Sequence, residues 1–280
     1  MIPTAEFAER FHRLHEGPKT FVLTNAWDPM SARLLASLGF PAIATTSSGV
    51  SWAHAKQDGE NLTVDEVTTA LSRICAAADI PVSADVEKGF GSSPEAVANT
   101  ISAVIRAGAV GVNLEDGSGR PDDPLIPASA HSERLRAART AAKEAGLRLF
   151  INGRTDVYLR SVGEPSTRFE RTVERALAYI EAGADGIFVP GVTDLATIAR
   201  LVEAIPAPLN VLLSGGTAPV AELEEVGVKR LSTGGRFAEA VLGLLTRAAT
   251  ELRDKGTYET LTEYALPYPE LQALFRTRRP

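Results

Sequence analysis

A single (β/α)8 barrel is the fold class the sequence predicts, on three observations. Eight short apolar or β-branched runs each lead into a stretch of good helix formers, at the spacing of βα units. The chain has 280 residues, and no linker or low-complexity tract divides it; a barrel of this kind takes about 250. Three charged clusters, Asp85-Val86-Glu87, Glu115-Asp116 and Arg154-Thr155-Asp156, close three of those runs, as catalytic groups do at strand C-termini. Residues 1–280 therefore read as one domain, with about 237–280 as a C-terminal helical extension. A doubly wound sheet is the rival, but eight strands each with its own helix suit the barrel better.

In chain order the strands are FVLTNA from Phe21, AIATTS from Ala42, PVSADVE from Pro81 and VGVNLED from Val110. LRLFINGRTD from Leu147, DGIFVPG from Asp185, LNVLLSGG from Leu209 and KRLSTGG from Lys229 follow. The helices between them are DPMSARLLASLG, TVDEVTTALSRICAAAD, SPEAVANTISAVIRAG, SERLRAARTAAKEAG, TRFERTVERALAYIEAG, DLATIARLVEAI and VAELEEVG. Five run into a glycine (Gly39, Gly108, Gly146, Gly183, Gly227), as a left-handed C-cap favours. Ser93-Pro94 and Asp194 stand where N-caps belong. The tail ending ALPYPELQALFRTRRP is longer than barrel closure needs and is expected to pack on a neighbouring subunit.

Hydrophobic residues make up 44% of the chain, enough for a sizeable core, and the net charge of −6 gives no reason to expect nucleic acid or an anionic membrane. No apolar run approaches a membrane span, and MIPTAEFAERFHRLHEG lacks the apolar centre of a secretory signal. Cys75 is the only cysteine, so no intrachain disulfide forms, and a cytoplasmic protein is expected. Four scattered histidines and one thiol argue against zinc. His12, His15 and His131 read as surface residues, His54 as an outside candidate for the site, and Cys75 as a small buried hydrophobe.

Asp85 and Glu87 are two apart, which on a strand puts both side chains on one side of the pleat, able to hold one cation directly or through water. Exposed loop acids are the plain alternative. Strand alternation sets Gly111, Asn113 and Glu115 against Val110, Val112 and Leu114. The small, polar set is the one expected to line a ligand site, so Glu115 faces it, and Asp116 is left as an N-cap or loop acid. Arg154 offers a fixed fork for a carboxylate or phosphate, with Asp156 orienting it or closing an ion pair; a structural salt bridge is the plain alternative for both. Ser47, Ser48 and Gly49 could present N–H groups and hydroxyls to an anionic oxygen, although an ordinary turn explains them as well. Asp58 and Glu60 read as surface acids of a long loop, and Lys88 as solvated. Gly215–Gly216 and Gly234–Gly235 end the last two strands, where many barrels bind phosphate, so a phosphosugar enzyme is a rival.

These residues resemble the isocitrate lyase and phosphoenolpyruvate mutase superfamily, through LTNAWDPMSARLLASLGFPAIATTSSGV, SADVEKGFG, GVNLEDGSG and NGRTDVYL. The resemblance implies a (β/α)8 barrel forming a homo-oligomer, a dimer or tetramer that exchanges a C-terminal helix. It implies Mg2+, or Mn2+ in its place, held by Asp85 with Glu87 and Glu115 contributing largely through water. Ser47, Ser48 and Gly49 would cradle an α-keto carboxylate, with Asp85 and Arg154 also at the substrate. Catalytic parts fall to Asp58, as the acid near the reacting centre, to Arg154 and to Glu115. Two departures narrow the reaction. The isocitrate and methylisocitrate lyases carry Lys-Lys/Arg-Cys-Gly-His on the loop after the fourth strand, where this chain has DGSGRPDDPLIP. The phosphonate-processing members place lysine and asparagine there, and this loop offers only Arg120. Glu87 also stands where aspartate is commoner.

A Mg2+-dependent lyase is therefore expected, one that breaks a carbon–carbon bond in, or decarboxylates, a small α-keto or 2-hydroxy acid. Carbon–phosphorus chemistry at the same site and a keto-acid-binding barrel without turnover are the alternatives.

Overall fold

The apolar runs pair in parallel, in chain order, and the last returns to the first, giving a closed barrel. Its strands are β1 (Phe21–Ala26), β2 (Ile43–Thr45), β3 (Val82–Asp85), β4 (Gly111–Glu115), β5 (Phe150–Arg154), β6 (Gly186–Val189), β7 (Leu209–Leu212) and β8 (Arg230–Ser232). The computed structural model describes residues 4–276. All eight predicted runs are strands.

Twelve helices are described: α1 (Thr4–Glu16), α2 (Pro29–Ser37), α3 (Ser47–Ala53), α4 (Val64–Ala78), α5 (Pro94–Arg106), α6 (Ala128–Glu144), α7 (Arg168–Glu181), α8 (Leu195–Ala204), α9 (Val220–Glu225), α10 (Arg236–Lys255), α11 (Glu259–Tyr264) and α12 (Tyr268–Leu274). Local chemistry sets their ends. Thr63 and Glu66 form a capping box at α4, Ser93 accepts the Ala96 N–H with Pro94 behind it, and Asp194 accepts the Thr197 N–H. The five glycines expected after helices all take positive φ. Two elements were not expected. Ser47-Ser48-Gly49 is not a plain turn but the first turn of α3, and the amphipathic N-terminal stretch is helix α1. Phe237 lies inside α10, the helix that follows β8; only Ala238 and Ala248 of that helix are buried, and α11 and α12 continue the C-terminal helical extension from it.

Ladder partners share a face, so the register identifies what lines the barrel. Ser83, Gly111 and Phe150 are successive partners, as are Asp85, Asn113 and Asn152, and Asn210 and Arg230. The interior is thus polar at mid-height. Asn152 Nδ2 donates to Asn113 Oδ1 at 2.8 Å, Arg230 Nη2 donates to the same oxygen at 3.2 Å, and Arg230 Nε donates to Ser232 Oγ at 3.0 Å. The apolar core lies instead between the sheet and the helices, around Ile43, Ile74, Ile101, Leu135, Leu149 and Ile187.

Helix α1 plugs the lower end of the barrel, which corrects the surface reading of two histidines. His12 and His15 are buried because they pack on the rings that point down the axis, His15 stacking on Phe150 at 3.9 Å with Phe11 edge-on to both. His15 Nδ1 donates to the Phe11 carbonyl, and burial, with Arg230 nearby, pushes the imidazole down to about 3. His131 is likewise buried, between α6 and the ring of Tyr179 on α7. Charged sequence neighbours hid all three. Among the described residues no helix is long and apolar enough to cross a membrane.

Candidate active site

Strands β2 to β5 deliver their last residues to one mouth. Asp85 ends β3, Glu115 ends β4 and Arg154 ends β5, and the ladder sets Glu115 beside Arg154. Arg154 Nη1 lies 2.6 Å from Glu115 Oε2, while its Nε and Nη2 meet the Asp156 carboxylate at 2.7 and 3.2 Å. Three of its five N–H groups are so engaged, which leaves two for a ligand. Asp156 thus closes the ion pair with Arg154 that was one of the two parts expected of it.

The expected pleat relation between Asp85 and Glu87 does not hold. The strand stops at Asp85, and Glu87 sits in a turn with φ of +48°. The turn still brings the two acids together, since the Glu87 N–H approaches Asp85 Oδ1 at 3.4 Å. Glu87 is buried, and its Oε2 accepts the Glu60 N–H at 2.7 Å. Loss of water, then the charges of Asp85 and Asp58, pushes Glu87 up to about 8. Burial pushes Glu115 up to about 8 as well, opposed by Arg154 and reinforced by Asp156, Asp85 and Glu87.

Helix α3 begins directly after β2. Its Ser47 N–H donates to Asp85 Oδ2 at 3.2 Å, and Ser48 Oγ and Thr46 Oγ1 are 3.0 Å apart. The Ser48 and Gly49 N–H groups belong to the first turn and have no acceptor within the helix. Gly49 is required by space: a Cβ there would meet Thr46 Cγ2 at 2.7 Å and Trp27 Cβ at 2.8 Å. Asp58 remains open to solvent at the rim, yet crowding around it and then the charge of Asp85 raise its carboxyl.

Several neighbours differ from expectation. Glu60 is not a loose surface acid: its Oε1 accepts the Phe90 N–H at 2.7 Å and its Oε2 lies 3.4 Å from Lys88 Nζ, so neither residue is freely solvated. Asp116 is no N-cap or loop acid either. It is wholly buried, accepting from the Asp156 N–H, Tyr179 OH and Arg175 Nη1 at 2.8, 2.6 and 3.0 Å. Arg175 and Tyr179 come from the C-terminal half of α7, where no strand-end rule points to them. His54 ends α3 with its ring on the Val50 carbonyl, outside the mouth. Cys75, on α4, is partly buried and packs against Gly108; burial pushes its thiol up to about 12, far from an acid useful at neutral pH.

The donor set suits a hard cation. Mg2+ keeps several waters and needs only one or two carboxylates. Among the described residues no group of three or more His, Cys, Asp or Glu side chains is set closely enough to enclose a metal. Acids at a shared mouth, two of them driven up by burial and mutual repulsion, are relieved by a partly hydrated cation. The glycine loops fit phosphate less well. The Gly234 N–H is taken by Asn25 Oδ1 at 2.9 Å, and the turn at Gly215–Gly216 is closed internally by Ser214 and Thr217.

Comparison with known proteins places the chain in a family. The profile described as phosphoenolpyruvate phosphomutase matches residues 11–253. The oxaloacetate decarboxylase of Pseudomonas paraeruginosa strain PA7 is 30% identical over 266 residues, 92% of this chain and 85% of that one. An uncharacterized Mycobacterium tuberculosis protein (strain CDC 1551) is 38% identical over 265 residues, 94% of this chain and 95% of that one. A solved structure from Burkholderia cenocepacia J2315, assigned no further than lyase or mutase, superposes with a TM-score of 0.92 at 40% identity, covering 98% of this chain and 97% of that one. The chain belongs to the phosphoenolpyruvate mutase family, within the isocitrate lyase/phosphoenolpyruvate mutase superfamily.

Proposed function

We propose that this protein is a Mg2+-dependent lyase that breaks a carbon–carbon bond in a small α-keto or 2-hydroxy carboxylic acid, with decarboxylation of an oxaloacetate-like acid as the form it suits best. One observation carries the reading: an arginine fork fixed by two carboxylates faces an acidic mouth that also holds unused helix N–H groups. Asp85 would hold the cation, with Glu87 and Glu115 contributing through water. Mg2+, or Mn2+ in its place, supplies Lewis-acid stabilisation of negative charge at the keto oxygen.

The chain's own groups perform the rest. The two spare N–H groups of Arg154 grip a substrate carboxylate. The Ser48 and Gly49 N–H groups, with the Ser47 and Ser48 hydroxyls, receive charge as the bond breaks and its electron pair passes toward the keto oxygen. Asp58, its carboxyl raised, returns a proton to carbon. The loop after β4 folds on itself through Ser118, Arg120 and Asp123 and contains no thiol, so the proton source lies elsewhere. The oxaloacetate decarboxylase among the relatives supports the reaction class.

Incubation with Mg2+ and a panel of small keto and 2-hydroxy acids, followed by NMR, tests this. Release of a pyruvate-like product supports it. Phosphonopyruvate turnover alone would transfer the site to carbon–phosphorus chemistry, and binding without turnover would make the barrel a keto-acid sensor.

The same reading includes a homo-oligomer in the cytoplasm. Phe237, Leu242 and Leu245 on α10 and Leu261, Tyr264 and Phe275 beyond it are exposed. A second copy, exchanging its C-terminal helix in a dimer or tetramer, would cover them.

A further inference from the structure

Arg154 owes its posture to groups that never reach the mouth. Its carboxylate partner Asp156 follows it by two residues, and Asp116 binds both ends of that tripeptide. The Asp116 N–H donates to the Arg154 carbonyl at 3.2 Å, and Asp116 Oδ1 accepts the Asp156 N–H at 2.8 Å. The other oxygen, Oδ2, is held from α7 by Tyr179 OH at 2.6 Å and Arg175 Nη1 at 3.0 Å. Arg175 Nη1 also donates to Tyr179 OH at 3.0 Å and to the Ile126 carbonyl at 3.1 Å, and the Ile126 N–H donates to the Asp116 carbonyl at 2.9 Å. Asp116 and Tyr179 are both 0% exposed.

We propose that Tyr179 and Arg175 are positioning residues for Arg154, acting through Asp116 and Asp156 to aim its free N–H groups into the mouth. A carboxylate whose one oxygen fixes the Asp156 N–H keeps that rotamer only while its second oxygen is tied down. Tyr179 and Arg175 do this from a helix that contributes nothing else to the site. The bond from Arg175 to the Ile126 carbonyl also anchors the returning end of the loop after β4, so the substrate arginine and that loop share one buried anchor.

The inference rests on the reading of Arg154 as the substrate's carboxylate partner, and the test separates the two. Oxalate affinity in the presence of Mg2+ would be measured by calorimetry for the full chain, Tyr179→Phe, Arg154→Lys and the double variant. Tyr179→Phe is expected to weaken oxalate on the order of tenfold, the scale seen when a group orienting a site residue is removed. In the Arg154→Lys background it should add no further loss, because the group it positions is already gone. A role confined to stability would lower the melting temperature and leave oxalate affinity alone. Wild-type affinity in Tyr179→Phe, or losses that multiply, overturns the proposal. Wild-type affinity in Arg154→Lys overturns the reading of Arg154 instead. If Tyr179→Phe fails to fold, Arg175→Gln carries the same expectation from a side chain 12% exposed.

Discussion

Arg154 Nη1 and Glu115 Oε2 lie 2.6 Å apart inside the mouth, so one guanidinium ties the end of β4 to the end of β5 while its other edge holds Asp156. The side chains of Arg154 and Glu115 are only 15% and 10% exposed, and a buried charge stripped of its partner is costly. Burial raises the Glu115 carboxyl, and the guanidinium of Arg154 opposes that rise. Arg154→Ala takes this cation away from a buried acid and is expected to cost about 3 kcal/mol. Urea unfolding checks this, and wild-type stability in the variant would contradict it.

Gly49→Ala is expected to displace the start of α3. The added methyl would sit 2.7 Å from Thr46 Cγ2 and 2.8 Å from Trp27 Cβ, and neither atom is the end of a flexible chain. Overpacking of this kind costs about 1–3 kcal/mol. The melting temperature should fall and oxalate binding should weaken with it, since the Ser48 and Gly49 N–H groups move. A drop in stability with wild-type oxalate affinity would remove those N–H groups from the site.

The barrel was legible because each strand is a short apolar run and five of the helices between them end on a glycine, as at Gly108 and Gly146. Of the site, the strand-end residues Asp85, Glu115 and Arg154 were legible for the same reason. Glu87 was located correctly for the wrong reason, because a positive φ after Asp85 cannot be read from alternation. Asp116, Arg175 and Tyr179 were missed since their meeting depends on how α7 packs over β5 and β6. A signal did exist for the polar interior: Asn25, Asn113, Asn152 and Asn210 each interrupt an apolar strand, an unusual cost unless each finds a partner on the next strand, as Asn152 does in Asn113, Asn25 in Thr233 and Asn210 in Ser232. The buried histidines could not be found, because α1 becomes a plug only once the barrel exists to be plugged.

Acid should unfold this protein partly through His131. Burial, then Arg134 and Arg175 on either side, pushes its imidazole down to about 3, with the Tyr179 ring against it and Asp116 behind that ring. The unfolded chain takes up the proton near 6.5 while the native state refuses it until about 3. The contribution is thus complete above pH 6.5 and is lost as pH falls toward 3, at about 1.4 kcal/mol per pH unit. Between pH 6 and pH 5, His131→Leu should lose about 1 kcal/mol less stability than the wild type. Parallel stability curves would show that His131 does not titrate as a buried neutral group.

Asp58→Asn separates chemistry from folding. The side chain is open to solvent, so stability should change by less than about 0.5 kcal/mol. Turnover of a decarboxylated keto acid should fall about 100-fold, with oxalate affinity retained, if this carboxyl returns the proton. Unchanged kcat would assign the proton to another group.

The central claim is that Asp85 holds a divalent cation that completes a site for an enolate-like anion. Oxalate, planar and dianionic, mimics that anion, and a ligand confined to the folded state raises the melting temperature by mass action. Thermal melts of wild type and Asp85→Ala with oxalate, Mg2+, both or neither test it most directly. A shift that needs oxalate and Mg2+ together, and disappears in Asp85→Ala, is the predicted result. A shift that persists without Mg2+ or survives in Asp85→Ala, or no shift at millimolar oxalate, would contradict it.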